Sequence, residues 1–532
     1  MSLARNTLVQ SGLTLGSRIL GFARDLAISA RFGQGPMSDA FTTALMFPNL
    51  FRRLFAEGAF AQAFVPIYGK AKVEHGDEEA ARTASDAMSF LMFWVVVFCI
   101  VMQLAMGWLM PYLLSAYAAD PQMMALATAL TQLTFPYLAC MTLASLLSGV
   151  LNTAGRFALS AGVPVLLNIC TLVPLVLLYD TRTALFGAAI AVTVAGALQA
   201  GLLWWGVARQ KITLRFHAPK LTPAVKNVLI VALPGALAGG ALQINSIVSQ
   251  LLTGSDEGAR TVLYNADRLY QLPLGLVGVA IGLALVPRLT RSFVQKDEAT
   301  SKKTMDDGVS LSMAFTLPAA VALFCAPFFI IDATVTRGAF TSEDARRTAD
   351  VLFHFAWGVP AFVLAKVFTP PFFARQDTKR PMIYALIGVG ISTAVGFGLF
   401  TWLPSQDIDP VIGLAIATSA TGWLNVLLLA GTLAREGHYR IDGALWSKLA
   451  RLLLACAAMA ALLIYCEANY AQIYGWLWRK EMAVLAMAAA GGLIFFLVAW
   501  ALRAFTIREI RSALRRERAP EGVPPGLSGA GD

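Results

Sequence analysis

Of 532 residues, 57% are hydrophobic and only 14% carry charge. A soluble domain usually has about 25% charged residues, so the composition excludes a water-soluble globular protein and makes lipid the solvent. The net charge of +10 does not indicate nucleic acid. The basic residues fall mainly in short segments between apolar runs, where they set membrane orientation.

Taken in chain order, apolar runs able to cross a hydrocarbon core about 30 Å thick lie near 7–31, 37–67, 85–113, 122–151, 158–179, 183–207, 224–253, 259–288, 306–331, 345–373, 381–403, 409–433, 447–467 and 481–503. The expected fold class is therefore an all-α polytopic membrane protein of about fourteen transmembrane helices. The first run holds Arg18, Arg24 and Asp25 and lacks the uninterrupted stretch and small-residue cleavage site of a signal peptide, so it reads as a retained helix. Alternate connections carry the cations: Lys70, Lys72 and Arg82; Arg156; Arg209, Lys211, Arg215 and Lys220; Arg288, Arg291, Lys296, Lys302 and Lys303; Arg375, Lys379 and Arg380; Arg435 and Arg440. These are the predicted cytoplasmic loops, with both termini on the same side. The opposite loops hold scattered cations such as Arg182, Arg260 and Arg337, and Arg346, Arg347, Arg479 and Lys480 are exceptions to the pattern. The six cysteines show no CxxC or Cys/His spacing and read as packing residues, with no metal site.

The segment Ala59-Phe60-Ala61-Gln62-Ala63-Phe64-Val65-Pro66 recurs as Ala280-Ile281-Gly282-Leu283-Ala284-Leu285-Val286-Pro287, and Phe135-Pro136 recurs as Val359-Pro360. Both offsets are about 220 residues, which predicts two pseudo-symmetric six-helix lobes of the same orientation, with a substrate site between them. The expected units are a first lobe at 1–218, a second at 219–440, helices 13 and 14 at 441–512, and a Pro- and Gly-rich disordered tail at 513–532. Pro234, Gly235, Gly239 and Gly240 are expected to interrupt helix seven, giving either a hinge or a small-residue packing face.

An Arg, Lys or Asp at a membrane-helix centre costs about 2.5–3.5 kcal/mol on insertion scales, yet this chain places many there. Arg18 and Arg24 lie roughly 16 and 26 Å from the cytoplasmic start of the first helix. The second helix carries Asp39, Arg52, Arg53 and Glu57, and the eighth carries Asp267 and Arg268. Arg18 and Asp25 share a helix face, whereas Arg24 is about 120° from Arg18. Two readings follow. Several guanidinium groups lining a wet cavity would capture phosphate oxygens; alternatively, Arg53 and Glu57 neutralise each other, as do Asp25 or Asp267 and a neighbouring Arg. Lys366, near the cytoplasmic end of span ten, reads most simply as a snorkelling lysine.

The run Ser17-Arg18-Ile19-Leu20-Gly21-Phe22-Ala23-Arg24-Asp25, with Ser38-Asp39-Ala40-Phe41, Pro48-Asn49-Leu50-Phe51-Arg52-Arg53-Leu54-Phe55-Ala56-Glu57-Gly58-Ala59-Phe60, Ala266-Asp267-Arg268-Leu269 and Arg375-Gln376-Asp377-Thr378-Lys379-Arg380-Pro381, resembles the MurJ (MviN) family of lipid II flippases. The resemblance implies membership of the multidrug/oligosaccharidyl-lipid/polysaccharide exporter superfamily, with two lobes around a cationic cavity and a lipid-tail groove on the two extra helices. It further implies that Arg18, Arg24 and Arg268 bind the diphosphate of lipid II, while Asp25, Asp39, Arg52, Glu57 and Asp267 support the cavity or its gating. The expected activity is transport of lipid-linked peptidoglycan precursor across the bacterial cytoplasmic (inner) membrane, with no catalytic residues and no cofactor. No GxxxxGK[ST] phosphate loop is present, so membrane potential or an ion gradient is the expected drive. Expected partners are lipid II, membrane lipid and the cell-wall synthesis machinery, and no nucleic acid. The rival readings are an exporter of another lipid-linked oligosaccharide and a cation-coupled multidrug antiporter, the latter favouring acidic cavities. A membrane glycosyltransferase would need catalytic acids on substantial outer loops, and these loops are short.

Overall fold

The computed structural model describes residues 3–51, 59–275, 298–375, 377–477 and 479–504. Arg52, Arg53, Glu57 and the Ala280–Pro287 half of the repeat lie outside them. The described helices are α1 Leu3–Phe32, α2 Pro36–Phe51, α3 Ala59–Leu113, α4 Pro121–Thr134, α5 Tyr137–Thr153, α6 Phe157–Leu177, α7 Thr181–Arg209 and α8 Pro223–Thr253. Helix α9 covers 259–275. Then follow α10 Glu298–Cys325, α11 Pro327–Thr334, α12 Ser342–Ala356, α13 Val359–Phe368, α14 Pro370–Ala374, α15 Lys379–Trp402, α16 Pro410–Arg435, α17 Gly443–Ala468, α18 Tyr470–Leu477 and α19 Lys480–Ala501. Among the described residues, 10 helical spans are long and apolar enough to cross a membrane.

Local sequence sets the helix ends. Asp120, Asp180, Asp409 and Asp442 each accept a hydrogen bond from a first-turn N–H, satisfying donors the helix itself leaves open. Thr341 and Asp344 complete a capping box on α12. Gly76, at φ 87°, leaves the helical region and kinks α3, which is thus two helices meeting there, the end of the second expected span and the third.

The repeat seen in sequence has a counterpart in the backbone. Phe135 and Pro136 separate α4 from α5, and Trp357 and Gly358 separate α12 from α13 just before Pro360. Each span is thus a broken helix of 33 residues, Pro121–Thr153 and Ser342–Ala374. By contrast, α8 continues helically through Pro234 and its neighbouring glycines, so the expected interruption of helix seven is not present. A proline removes one intrahelical donor without obliging the chain to leave the helix, and surrounding groups re-satisfy the freed carbonyl in a membrane.

The helices gather into two packed groups. In the first, α1 and α6 run in the same direction: Asn168 donates to the Ser17 carbonyl at 2.8 Å, and Arg31 donates to the Leu175 carbonyl at 2.9 Å. Buried Phe64, Tyr68, Leu147, Val150 and Leu203 pack beside them. In the second, Met313, Val363 and Val367 share a core with Leu452, Met459 and Phe495, which seats α17 and α19 on α10 and α13. Glu467 accepts the N–H groups of Phe328 and Phe329 at 3.1 and 2.8 Å, and Lys480 meets Asp332 at 2.8 Å. At the opposite end, Tyr439 donates to Asp306 at 2.7 Å and Lys302 to Asp442 at 3.0 Å. Exposed Leu104, Trp108, Val176, Leu427, Leu493 and Trp500 form the lipid-facing surface such a bundle requires.

One end of the bundle carries the linker between α7 and α8, where the N–H groups of Arg215 and His217 donate to Ser85 and Ser89 of α3. The other end carries the turns after α1 and α8, and there the two groups are clasped together.

Candidate functional site

The site is a seam between α1 and α9, which run in opposite directions. On α9, Arg260, Tyr264 and Arg268 recur every four residues and so form one stripe. On α1 the facing positions are Ser29, Asp25 and Arg18. Ser29 donates to Asn265 Oδ1 at 3.2 Å. Below it, Asp25 Oδ1 accepts Tyr264 Oη at 2.9 Å, and Asp25 Oδ2 meets Arg268 Nε at 3.1 Å. Arg24, although adjacent in sequence, folds its side chain back onto Asp25 Oδ1 with Nη2 at 2.7 Å and Nε at 3.1 Å. Arg268 Nη2 donates to Tyr264 Oη at 3.0 Å, and the guanidinium lies 4.9 Å from the tyrosine ring centroid. Arg24 and Asp25 are both buried. Arg24 also lines a cleft with Leu45, Pro48, Asn49, Tyr137, Leu167 and Thr171, so its guanidinium stands between the seam and the interior of the first helix group.

Arg24, Asp25 and Arg268 are therefore brought into one cluster, in which Asp25 pairs with both guanidinium groups. Arg18 is not in it. Its guanidinium lies against Gly275, where an added Cβ would fall 1.6 Å from Nη1, and it acts electrostatically on Lys366. Asp267 accepts Gln271 Nε2 and adds its charge to the field at Arg268.

Asp39 belongs to a second cluster, the clasp. Only 1% exposed, it accepts the Thr261 hydroxyl at 2.8 Å, the Thr261 N–H at 3.2 Å, the Gly258 N–H at 2.8 Å and the Tyr117 hydroxyl at 2.9 Å. Arg260, equally buried, donates to the Leu113 carbonyl at 2.6 Å and to the carbonyl of Gln250 and the hydroxyl of Thr43. Gln34 donates to the Asp344 carbonyl at 2.8 Å and Thr348 Oγ1 at 2.7 Å, and the Ala339 N–H donates to the Ala30 carbonyl at 2.8 Å. A Cβ at Gly338, whose φ is +59°, would lie 2.2 Å from that carbonyl oxygen. Both helix groups contribute to every one of these contacts except the bonds from Arg260 to Gln250 and from Tyr117 to Asp39.

Sequence reasoning placed Arg260 in a loop and passed over Tyr264. The signal that would have found them is the four-residue spacing through Arg268. Three of the cations that broke the loop pattern find partners: Arg347 pairs with Asp256 and Asp409, Lys480 with Asp332, and Arg346 lies 4.6 Å from the Phe328 ring centroid. Among the described residues, no group of His, Cys, Asp and Glu is arranged to hold a metal ion.

Residues 28–484 match the family described as "Lipid II flippase MurJ". A protein of Rhizobium tropici named "Probable lipid II flippase MurJ" is 36% identical over 538 aligned residues, covering 99% of this chain and 100% of its own length. One of Burkholderia cenocepacia, "Lipid II flippase MurJ", is 33% identical over 88% of this chain and 91% of its own. This chain belongs to the MurJ family. Its fold is shared by a solved structure, "Lipid II flippase MurJ, inward closed conformation", with a TM-score of 0.75 and 24% identity over 95% of this chain and all of that one. An inward-facing multidrug resistance MATE transporter of the MOP superfamily has a TM-score of 0.64 at 13% identity over 80% of this chain and 98% of that one, a likeness of fold alone. As a MurJ-family chain with this many apolar helices it is a multi-pass protein of the bacterial inner membrane, a transporter and not an enzyme.

Proposed function

We propose that this chain flips lipid II from the cytoplasmic to the outer leaflet, and that Arg18, Arg24 and Arg268 engage its diphosphate while Asp25, Asp39, Asp267, Arg52 and Glu57 support or gate the cavity. The observation that carries this is the Arg24–Asp25–Arg268 cluster, set in the seam between two helix groups with Arg24 and Asp25 buried and Arg268 partly exposed. A carboxylate that holds two guanidinium groups in a low-dielectric seam orients them before a phosphate arrives, and planar guanidinium matches phosphate oxygens in pairs. The clasp ties the groups at one end, so substrate enters from the linker end in this state. That end faces the cytoplasm, with both termini, in keeping with its basic loops. The units 1–218 and 219–440 rock about the seam, and the pair within 441–512 moves with the second unit and offers the groove for the polyprenyl tail. The drive is membrane potential or an ion gradient acting without a bound cofactor; 100 mV supplies about 2.3 kcal/mol per elementary charge. Handing lipid II to cell-wall synthesis enzymes at the outer face follows from the direction of transport.

The test is depletion of the protein in its host, with measurement of lipid II accessible at the outer leaflet, followed by rescue with wild type or Arg24→Ala at equal expression. Accessible lipid II should fall while the total pool rises, and only wild type should restore it. Unchanged accessible lipid II on depletion would require another substrate.

A further inference from the structure

Seven residues from Asp25 on α1 is Arg18, and seven residues from Arg268 on α9 is Gly275. In antiparallel helices both steps are about 10 Å toward the linker end, and Arg18 and Gly275 do meet there. On α13, the ring of Phe362 lies tilted against Tyr270 of α9, with centroids 5.9 Å apart. Lys366 is one turn further on, at the depth of Gly275. Arg18 of the first helix group and Lys366 of the second therefore lie at the same depth beside α9, close enough for the charge of Arg18 to act on the lysine. Both are exposed.

The charge balance differs from that of the central cluster. There, the guanidinium groups of Arg24 and Arg268 are set against the carboxylates of Asp25 and Asp267. At Arg18 and Lys366, no carboxylate among the described residues forms an ion pair with either cation. A snorkelling lysine reaches for water or lipid phosphate at the interface; one close to an arginine of the opposing helix group instead meets repulsion.

We infer that Arg18 and Lys366 form an anion-operated gate at the linker end. Their mutual repulsion disfavours closure of the empty transporter, and a diphosphate bound between them turns that repulsion into a bridge that draws the two helix groups together. The ligand thereby favours the closed state through a contact it makes only there, which is what a ligand-driven shift requires. An empty transporter would seldom cycle. This rests on the flippase reading for the identity of the anion, though not for the existence of the gate.

The test uses the full-length protein in nanodiscs of neutral lipid, with a fluorophore pair introduced through unnatural amino acids at Arg156 and Lys379, exposed linker-end positions on the two groups. Energy transfer is read with polyprenyl diphosphate, inorganic diphosphate, phosphatidylglycerol or uncharged polyprenol. Wild type should move to the closed distance with polyprenyl diphosphate and not with polyprenol. Lys366→Gln should close more readily when empty and lose about tenfold of the ligand-induced shift in the closed-to-open ratio, a change typical of coupled sites. Lys366→Glu should close without ligand, and Lys366→Arg should behave as wild type. If Lys366→Gln leaves both the empty distribution and the response unaltered, the gate is wrong. Closure by phosphatidylglycerol but not by polyprenyl diphosphate would keep the gate and overturn lipid II as its ligand. Closure by inorganic diphosphate alone would show that the site reads phosphate without its lipid.

Discussion

The two ends of the α1–α9 seam hold similar charges in opposite circumstances. At the clasp, Asp39 and Arg260 are sealed from solvent; Asp39 and both Nη groups of Arg260 are held by hydroxyls, N–H groups and carbonyls drawn from both helix groups, and Arg260 Nε alone is without a partner among the described residues. At the linker end, Arg18 and Lys366 are exposed and lie close together as like charges. A membrane protein gains rigidity from buried charge where most of the polar groups around it are partnered. Where partners are missing, the same residue types favour opening and wait for a ligand. The central cluster lies between these extremes: its guanidinium groups are oriented by Asp25, and Arg24 still borders a cleft.

The comparison breaks most sharply at Arg260. Arg260→Met keeps much of the volume and leaves Asp39 with its hydrogen bonds but without the nearby positive charge. Removing one member of a buried charge set costs about 3–5 kcal/mol, so denaturant titration of the purified protein should show a loss of that order, and the clasp end should open to thiol reagents directed at an introduced cysteine. Asp39→Asn in the same background should recover part of the loss, because the stranded charge disappears. A neutral Arg260→Met would mean that backbone packing alone holds the clasp.

Two glycines sharpen the contrast between a fixed end and an adaptable one. At Gly338 a Cβ meets a backbone carbonyl, and φ is in the left-handed region, which costs an L-residue about 1–2 kcal/mol before the clash is counted. At Gly275 the obstructing atom is the far end of an arginine side chain, which moves aside. Gly338→Ala should therefore lower stability by about 2 kcal/mol or more, while Gly275→Ala should stay within about 0.5 kcal/mol and yet slow transport by displacing Arg18. Equal stability losses at the two sites would remove the distinction.

How much of this was legible beforehand follows from the range of each signal. Arg18, Arg24, Asp25 and Arg268 stood out because a charge in an apolar run is anomalous on local grounds, and the broken spans at Phe135-Pro136 and Val359-Pro360 repeat in sequence as well as in space. Arg260 did not stand out, because it sits close to the end of an apolar run and its acceptor on Leu113 is 147 residues away. Lys366 read as a snorkelling residue because its depth is visible in sequence and the arginine close to it is not. The outer-loop exceptions Arg347 and Lys480 looked anomalous only while Asp256, Asp409 and Asp332 were unplaced. Helix α8 shows the converse error: Pro234 is a strong local breaker, but a proline's missing donor does not by itself end a helix in a membrane.

A modest change in transport at Tyr264 is the most discriminating about the centre. Tyr264 donates to Asp25 and accepts from Arg268, while its ring lies beneath the same guanidinium. Tyr264→Phe removes both hydrogen bonds and keeps the ring, and the direct contacts of Arg24 and Arg268 with Asp25 remain. A loss near 1 kcal/mol, about fivefold in transport, is expected when an intramolecular hydrogen bond is removed from an otherwise intact set. Tyr264→Leu also removes the cation–π contact, worth about 0.5–2 kcal/mol, and should transport more slowly than Tyr264→Phe at equal expression. If Phe and Leu are equally impaired, the hydroxyl alone positions the arginines. If Phe is indistinguishable from wild type, Asp25 needs no help from α9 beyond Arg268, and Tyr264 is there to pack.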